Sequence, residues 1–230
     1  MEKRNQALPA EIGPVAGAVV LFGWLAGAVL RGATMALDGA ARNAIHAWAS
    51  PWLTAAMLAI TRLGEPEILI PLGALLVWRL FSTGRQRAAW LFLAAAIGGE
   101  ALDQTLKLVY HRVRPQAFFG YAQPGGYGFP SGHAMMSCCF YGVAAAILTP
   151  RIRRRAGRVL AWTAVGLLAA ALGLSRLYLG VHYPSDVLAG YLAGAIWARA
   201  VFIGFELRPR RAGPTKGSSR WRRWGRRAAG

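Results

Sequence analysis

Residues 159–205, VLAWTAVGLLAAALGLSRLYLGVHYPSDVLAGYLAGAIWARAVFIGF, set the reading of the whole chain. Two apolar runs, 159–174 and 185–205, are separated by a short stretch that contains Arg176, His182 and Pro184. A helix needs roughly 17–25 apolar residues to cross a bilayer, so each run is a candidate span. Working outward, four more runs of the same character lie at 14–30, 67–81, 87–109 and 132–148. Small residues recur through all of them, as expected where helices pack closely in lipid. The pattern predicts an all-α polytopic membrane bundle with six transmembrane helices. Between the first two runs, residues 51–61 are apolar but too short to cross. Residues 38–61 are therefore read as an interfacial or half-buried helical hairpin, with a seventh span as the competing reading.

Composition and charge agree. The 230-residue chain is 55% hydrophobic and only 16% charged, against about 25% charged in an ordinary soluble domain. That excludes a disordered chain and argues against a soluble globule. The formal net charge is nevertheless +18, and a greasy, basic chain is either a nucleic-acid binder or a membrane protein with sorted charge. The position of the bases decides for the membrane. Nine bases and no acid fall in 208–230, five in 151–158 and three in 79–87, each beside an apolar run. With Lys3 and Arg4 they share one side of the bundle, which the excess of bases makes cytoplasmic, so both termini are predicted inside. Residues 1–207 are read as the six-span domain and 208–230 as a basic cytoplasmic tail. Trp221 and Trp224 among the tail's bases suit an anchor on anionic headgroups, and no nucleic-acid-reading module accompanies them. Arg31 interrupts any clean signal-peptide cleavage region, so the first run is read as a retained anchor. Cys138 and Cys139 are adjacent in an apolar run and read as small helix residues, without the spacing of a disulfide or zinc framework.

Polar residues at membrane depth are costly and therefore candidates for function. Here they gather at four helix ends. The third span closes with Lys107, Arg112, Arg114 and Pro115. The fourth opens with Pro130, Ser131, Gly132 and His133. The fifth closes with Ser175 and Arg176, and the sixth opens after His182 with Pro184 and Asp186. Chain parity puts all four ends on the non-cytoplasmic face. A layer of Lys, Arg and His suits a tetrahedral oxyanion, with Arg as forked donor and Lys as point charge. Ser131 and Gly132 add a helix N-terminus, where free N–H groups favour phosphate. The two histidines suit a nucleophile and a general acid, and Asp186, four residues after His182, can orient its ring.

Lys107-x6-Arg114-Pro115, then Pro130-Ser131-Gly132-His133, then Ser175-Arg176-x5-His182-x3-Asp186 together resemble the three-part signature of the type 2 phosphatidic acid phosphatase (PAP2) superfamily, covering residues 107–186. The six spans resemble its membrane branch, the lipid phosphate phosphatases. The resemblance implies a lipid phosphate or diphosphate substrate held in the bilayer, such as undecaprenyl pyrophosphate, phosphatidylglycerophosphate or phosphatidic acid. It implies that His182 is the nucleophile that becomes a phosphohistidine, that Asp186 orients it, and that His133 protonates the leaving oxygen and then activates water. Lys107, Arg114, Ser131, Gly132 and Arg176 would bind the phosphoryl oxygens. It implies neither cofactor nor metal, in keeping with the scarcity of carboxylates, and a bacterial inner-membrane setting with the site on the periplasmic face. The competing functions are a phosphotransferase with the same phosphohistidine and a non-catalytic lipid phosphate carrier. Arg112 and His111 carry a weaker signal. Glu100 and Asp103 share a helix face with Lys107, and one or the other is expected to pair with a base in the bundle. Phe118, Phe119, Tyr121, Tyr127 and Phe129 are expected to form an aromatic interfacial belt.

Overall fold

Proline opens three of the helices: Pro51, Pro66 and Pro184 stand at first helical positions, where a missing N–H costs nothing and the fixed φ suits the helix. The computed structural model of the chain describes residues 2–207, with side chains from residue 13 onward. The basic tail at 208–230 and the side chains of Lys3 and Arg4 lie outside the described residues. Every regular element among those residues is helical. In chain order they are α1 (Glu2–Leu30), α2 (Met35–His46), α3 (Pro51–Arg62), α4 (Pro66–Ser82), α5 (Gln86–Tyr110), α6 (Gly132–Met136), α7 (Val143–Leu148), α8 (Arg155–Tyr178) and α9 (Pro184–Leu207). A wider π-type turn, Ser137–Gly142, joins α6 to α7.

Among the described residues, four stretches are long and apolar enough to cross a membrane: Gly13–Leu30, Gly132–Arg151, Arg155–Tyr178 and Pro184–Leu207. The expected second and third spans are α4 and α5. The first of these is 17 residues long with Pro71 inside it. The second has 25 residues but carries Glu100, Asp103 and Lys107 in its last third. The expected hairpin is α2 and α3, 12 residues each. At about 1.5 Å rise per residue each is ~18 Å long, short of the ~30 Å hydrocarbon core.

The site end of the bundle is positioned by close backbone contact. Gly190 and Gly194 lie one turn apart on α9. A Cβ on Gly190 would stand 2.5 Å from the Ser131 carbonyl oxygen, and one on Gly194 would stand 2.6 Å from that of Met135. This small-xxx-small face lets α6 lie directly on α9. On the other side α5 offers Gly98 to the Trp197 ring and Gly99 to Cys139. Around these contacts Phe92, Met135, Cys139, Phe140, Val143 and Ala193 form the main core. Cys138 and Cys139 are free thiols. In α8, burial is confined to the C-terminal end, from Leu172 to Tyr178. There α3 packs on it through Met57, and the Tyr178 hydroxyl lies 2.7 Å from the Thr54 hydroxyl. The short hairpin thus covers the end of the bundle at which α8 stops and α9 begins.

Candidate active site

The turn between α8 and α9 carries His182, buried along with Asp186 in the first turn of α9. The backbone N–H of Ser131, just before α6, donates to the Asp186 carbonyl at 2.9 Å. That bond ties the start of α6 to the start of α9. Arg114 Nη1 donates to His182 Nε2 at 2.7 Å. Because a guanidinium only donates, Nε2 presents its lone pair and the ring proton is assigned to Nδ1. Nδ1 lies 3.4 Å from Asp186 Oδ2, close to the carboxylate but not aligned as a hydrogen bond. Burial pushes the His182 imidazole well below its usual range, and Arg114, Arg176 and Lys107 push the same way. The ring is held neutral, with one lone pair facing the cations. Burial, and then neighbouring Arg176, likewise lower Arg114.

Asp186 is itself held from behind. Its Oδ1 accepts from Arg112 Nη1 at 2.5 Å and its Oδ2 from the Tyr183 N–H at 2.8 Å. Arg112 also donates to Ser185 Oγ at 2.6 Å and to Asp38 Oδ2 at 2.7 Å. Asp38, on α2, accepts from the Ser185 N–H at 3.0 Å and from its hydroxyl at 2.6 Å, and so caps α9 from a distant part of the chain. Burial alone would raise the Asp38 carboxyl, but the bonds from Ser185 and Arg112 outweigh it and hold the group below its usual range.

The second imidazole has different neighbours. His133 Nε2 donates to the Thr61 carbonyl at 3.1 Å. Thr61 Oγ1 accepts from buried Arg176 Nη1 at 2.6 Å, and Arg176 also reaches the Tyr121 hydroxyl at 3.3 Å. Lys107 pairs with Asp103 one turn before it. A Cβ on Gly132 would meet Asp103 Oδ2 at 3.1 Å and Lys107 Nζ at 3.4 Å, so glycine is what lets that backbone lie against the pair. Ser131 Oγ and Arg176 Nε are buried without a hydrogen-bond partner. Unmet donors among cations are what an incoming phosphoryl group would satisfy.

The order of residues along 107–186 and this assembly point to one family, and residues 88–210 match the PAP2 superfamily. The chain belongs to the PAP2 superfamily. It is 32% identical to phosphatidylglycerophosphatase B of Bacillus subtilis (strain 168) over 175 residues, 75% of this chain and 85% of that protein. It is 30% identical to an undecaprenyl-diphosphatase of Sulfolobus acidocaldarius over 67% of this chain and 71% of that one. The crystal structure of a transmembrane PAP2-type phosphatidylglycerolphosphate phosphatase from Bacillus subtilis superposes with a TM-score of 0.78 at 30% identity. That match covers 86% of this chain and 98% of the other. This PAP2 protein is an integral membrane protein of a lipid phosphatase family.

All eight residues expected at a PAP2 site lie at one end of the bundle. His182, Asp186 and Arg114 are in direct contact, Ser131 is tied to Asp186, and Gly132 lies beside Lys107. His133 and Arg176 are joined through Thr61. Ser175 bonds back to the Leu172 carbonyl at 2.7 Å, as fits a residue that shapes the helix end. Asp103 does pair with a base, whereas Glu100 accepts from Gln104 at 2.7 Å.

One expectation needs correction. Arg112, in the loop after α5, is not a solvated residue of weak signal but the cation between Asp38 and Asp186. The aromatic residues of 118–129, expected as an interfacial belt, make contacts within the protein. Phe118 stacks on His46, Phe119 stacks on Tyr178, and Phe129 is fully buried against Phe22 and Tyr110. These contacts bind the loop to α1, α2, α5 and α8. Sequence reasoning missed Thr61 and Asp38 altogether. A lone acid in the apolar hairpin could have flagged Asp38, since a carboxylate is rarely buried unpaired. Nothing distinguishes Thr61 from other threonines.

Proposed function

We propose that this chain hydrolyses a phosphate mono- or diphosphate ester of a membrane lipid through a phosphohistidine on His182. The observation that carries the reading is the His182 ring itself, with Arg114 at Nε2 and Asp186 behind Nδ1. In the first step the Nε2 lone pair attacks phosphorus and the bond to the leaving oxygen breaks. His133 gives that oxygen a proton, and Asp186 balances the charge gained by His182. In the second step His133 takes a proton from water as water attacks phosphorus. The P–N bond breaks, His182 is regenerated and inorganic phosphate leaves. Arg114, Arg176 and Lys107 stabilise the charge on the equatorial oxygens, with Ser131 and the Gly132 N–H as further donors. The reading is metal-independent, because the charges facing the phosphoryl group are cations of the protein and Asp186 is engaged by Arg112.

In this reading α4 and α5 complete six spans within 1–207, both termini are cytoplasmic, and the site faces the periplasm of a bacterial inner membrane. The lipid tail stays in the bilayer between helices. The named relatives make phosphatidylglycerophosphate and undecaprenyl pyrophosphate the first substrates to try. Purified protein is assayed for phosphate release from these two, phosphatidic acid and lipid A, with excess chelator in parallel. Release from at least one lipid, undiminished by chelator and blocked by vanadate, is expected. Failure on all four, or loss on chelation that magnesium restores, overturns the proposal.

A further inference from the structure

We infer that the corner between α3 and α4, residues 61–64, is a positioning element of the active site. It decides which nitrogen of His133 exchanges a proton, and it anchors Arg176. The inference rests on the reading of His133 as proton donor and Arg176 as phosphate ligand.

Three contacts carry it. The first is the Thr61 carbonyl. As one of the last carbonyls of a helix that ends at Arg62, it has no partner within the helix. It accepts from the Gly64 N–H at 3.0 Å and from His133 Nε2 at 3.1 Å, which uses both of its lone pairs. A carbonyl can only accept, so the proton on Nε2 stays in place and Nδ1 is left as the nitrogen that gains and loses one. The second contact is Gly64. A Cβ there would stand 2.5 Å from His133 Cδ2, 3.0 Å from Cγ and 3.2 Å from Nε2, so the imidazole lies against the glycine. Gly64 does not have a positive φ, so alanine would meet no backbone strain, only the ring. The third is the Thr61 hydroxyl, which takes Arg176 Nη1 at 2.6 Å. One buried residue therefore holds the proton donor by its main chain and a phosphate ligand by its side chain. The corner lies outside the 88–210 family match and outside the signature.

The two functions separate experimentally. Full-length purified protein is assayed on phosphatidic acid and on diacylglycerol pyrophosphate, which share a tail but differ in leaving group. An alkoxide needs a proton, whereas a phosphate leaving group needs one far less. Gly64→Ala is expected to lower kcat on phosphatidic acid by ~10-fold or more, and much less on the diphosphate, with KM little changed. Thr61→Val keeps the carbonyl but removes the acceptor of Arg176. It is expected to raise KM for both lipids alike, with Thr61→Ser restoring it. An equal loss on both lipids for Gly64→Ala, or an unchanged KM for Thr61→Val, overturns the inference. Should Gly64→Ala fail to fold, the Thr61→Val and Thr61→Ser pair decides. His133→Ala is the control. If it shows the leaving-group difference and Gly64→Ala does not, only the corner's role falls. If His133→Ala itself shows none, the reading of His133 as acid falls and this inference with it.

Discussion

The two imidazoles of this site are held in opposite ways. His182 is surrounded by charge, with Arg114 at one nitrogen, Asp186 at the other and Arg112 behind the carboxylate. His133 has only neutral groups in direct contact, the Thr61 carbonyl and the open face of Gly64, with Arg176 one residue further out. A nucleophile needs a neutral ring whose lone pair points one way, and ionised neighbours together with burial enforce that. A proton donor needs one nitrogen locked and the other free to exchange, and a single carbonyl suffices. This difference in surroundings is what the proposed division of roles between nucleophile and proton donor would require.

Removing His182 is the largest perturbation. His182→Ala is expected to abolish both turnover and acid-labile label trapped from a phosphorus-32 substrate, because no other group can form the covalent bond. Asp186→Asn is expected to keep label but to slow its formation by as much as ~10⁴-fold, through loss of ring orientation and charge. Label trapped in His182→Ala would break the comparison. His133→Ala should cost less, ~10²–10⁴-fold on a monoester lipid, with label still formed. A loss as complete as that of His182→Ala would mean that the two rings do not divide the work.

The smallest effect is on pH dependence. In the unfolded chain His182 takes up a proton below about pH 6.5, whereas in the fold its pKa lies well below that. The unfolded state then binds more protons, so stability is full above the unfolded value and is lost as pH falls toward the folded one. Asp38 follows the same sign, but only below its usual value of 3.8. Unfolding midpoints in detergent at pH 7.5 and 5 should therefore differ more for the native chain than for His182→Ala. An equal difference in both would remove His182 as the cause.

Legibility follows the same division. The groups around His182 lie between Lys107 and Asp186, where charged side chains interrupt apolar runs and stand out because burial of charge is expensive. The charged and imidazole residues expected there stood out for that reason. Arg112 was undervalued because its two partners, Asp38 and Asp186, lie 74 positions away on either side. The surroundings of His133 were not readable, since a main-chain carbonyl and a glycine have no signature in sequence.

By itself the sequence determined the helical class, most helix positions, the order of the signature and the gathering of its charges at one end. All of these follow from local composition and chain parity. Tertiary structure alone decided that Gly190 and Gly194 bring α6 onto α9, that Asp38 caps α9 from α2, and that the corner at 61–64 seats His133 and Arg176. These contacts join segments that covalent proximity does not link. Their partners are chosen by how helices pack, which depends on shape over the whole bundle and not on the identity of any one residue.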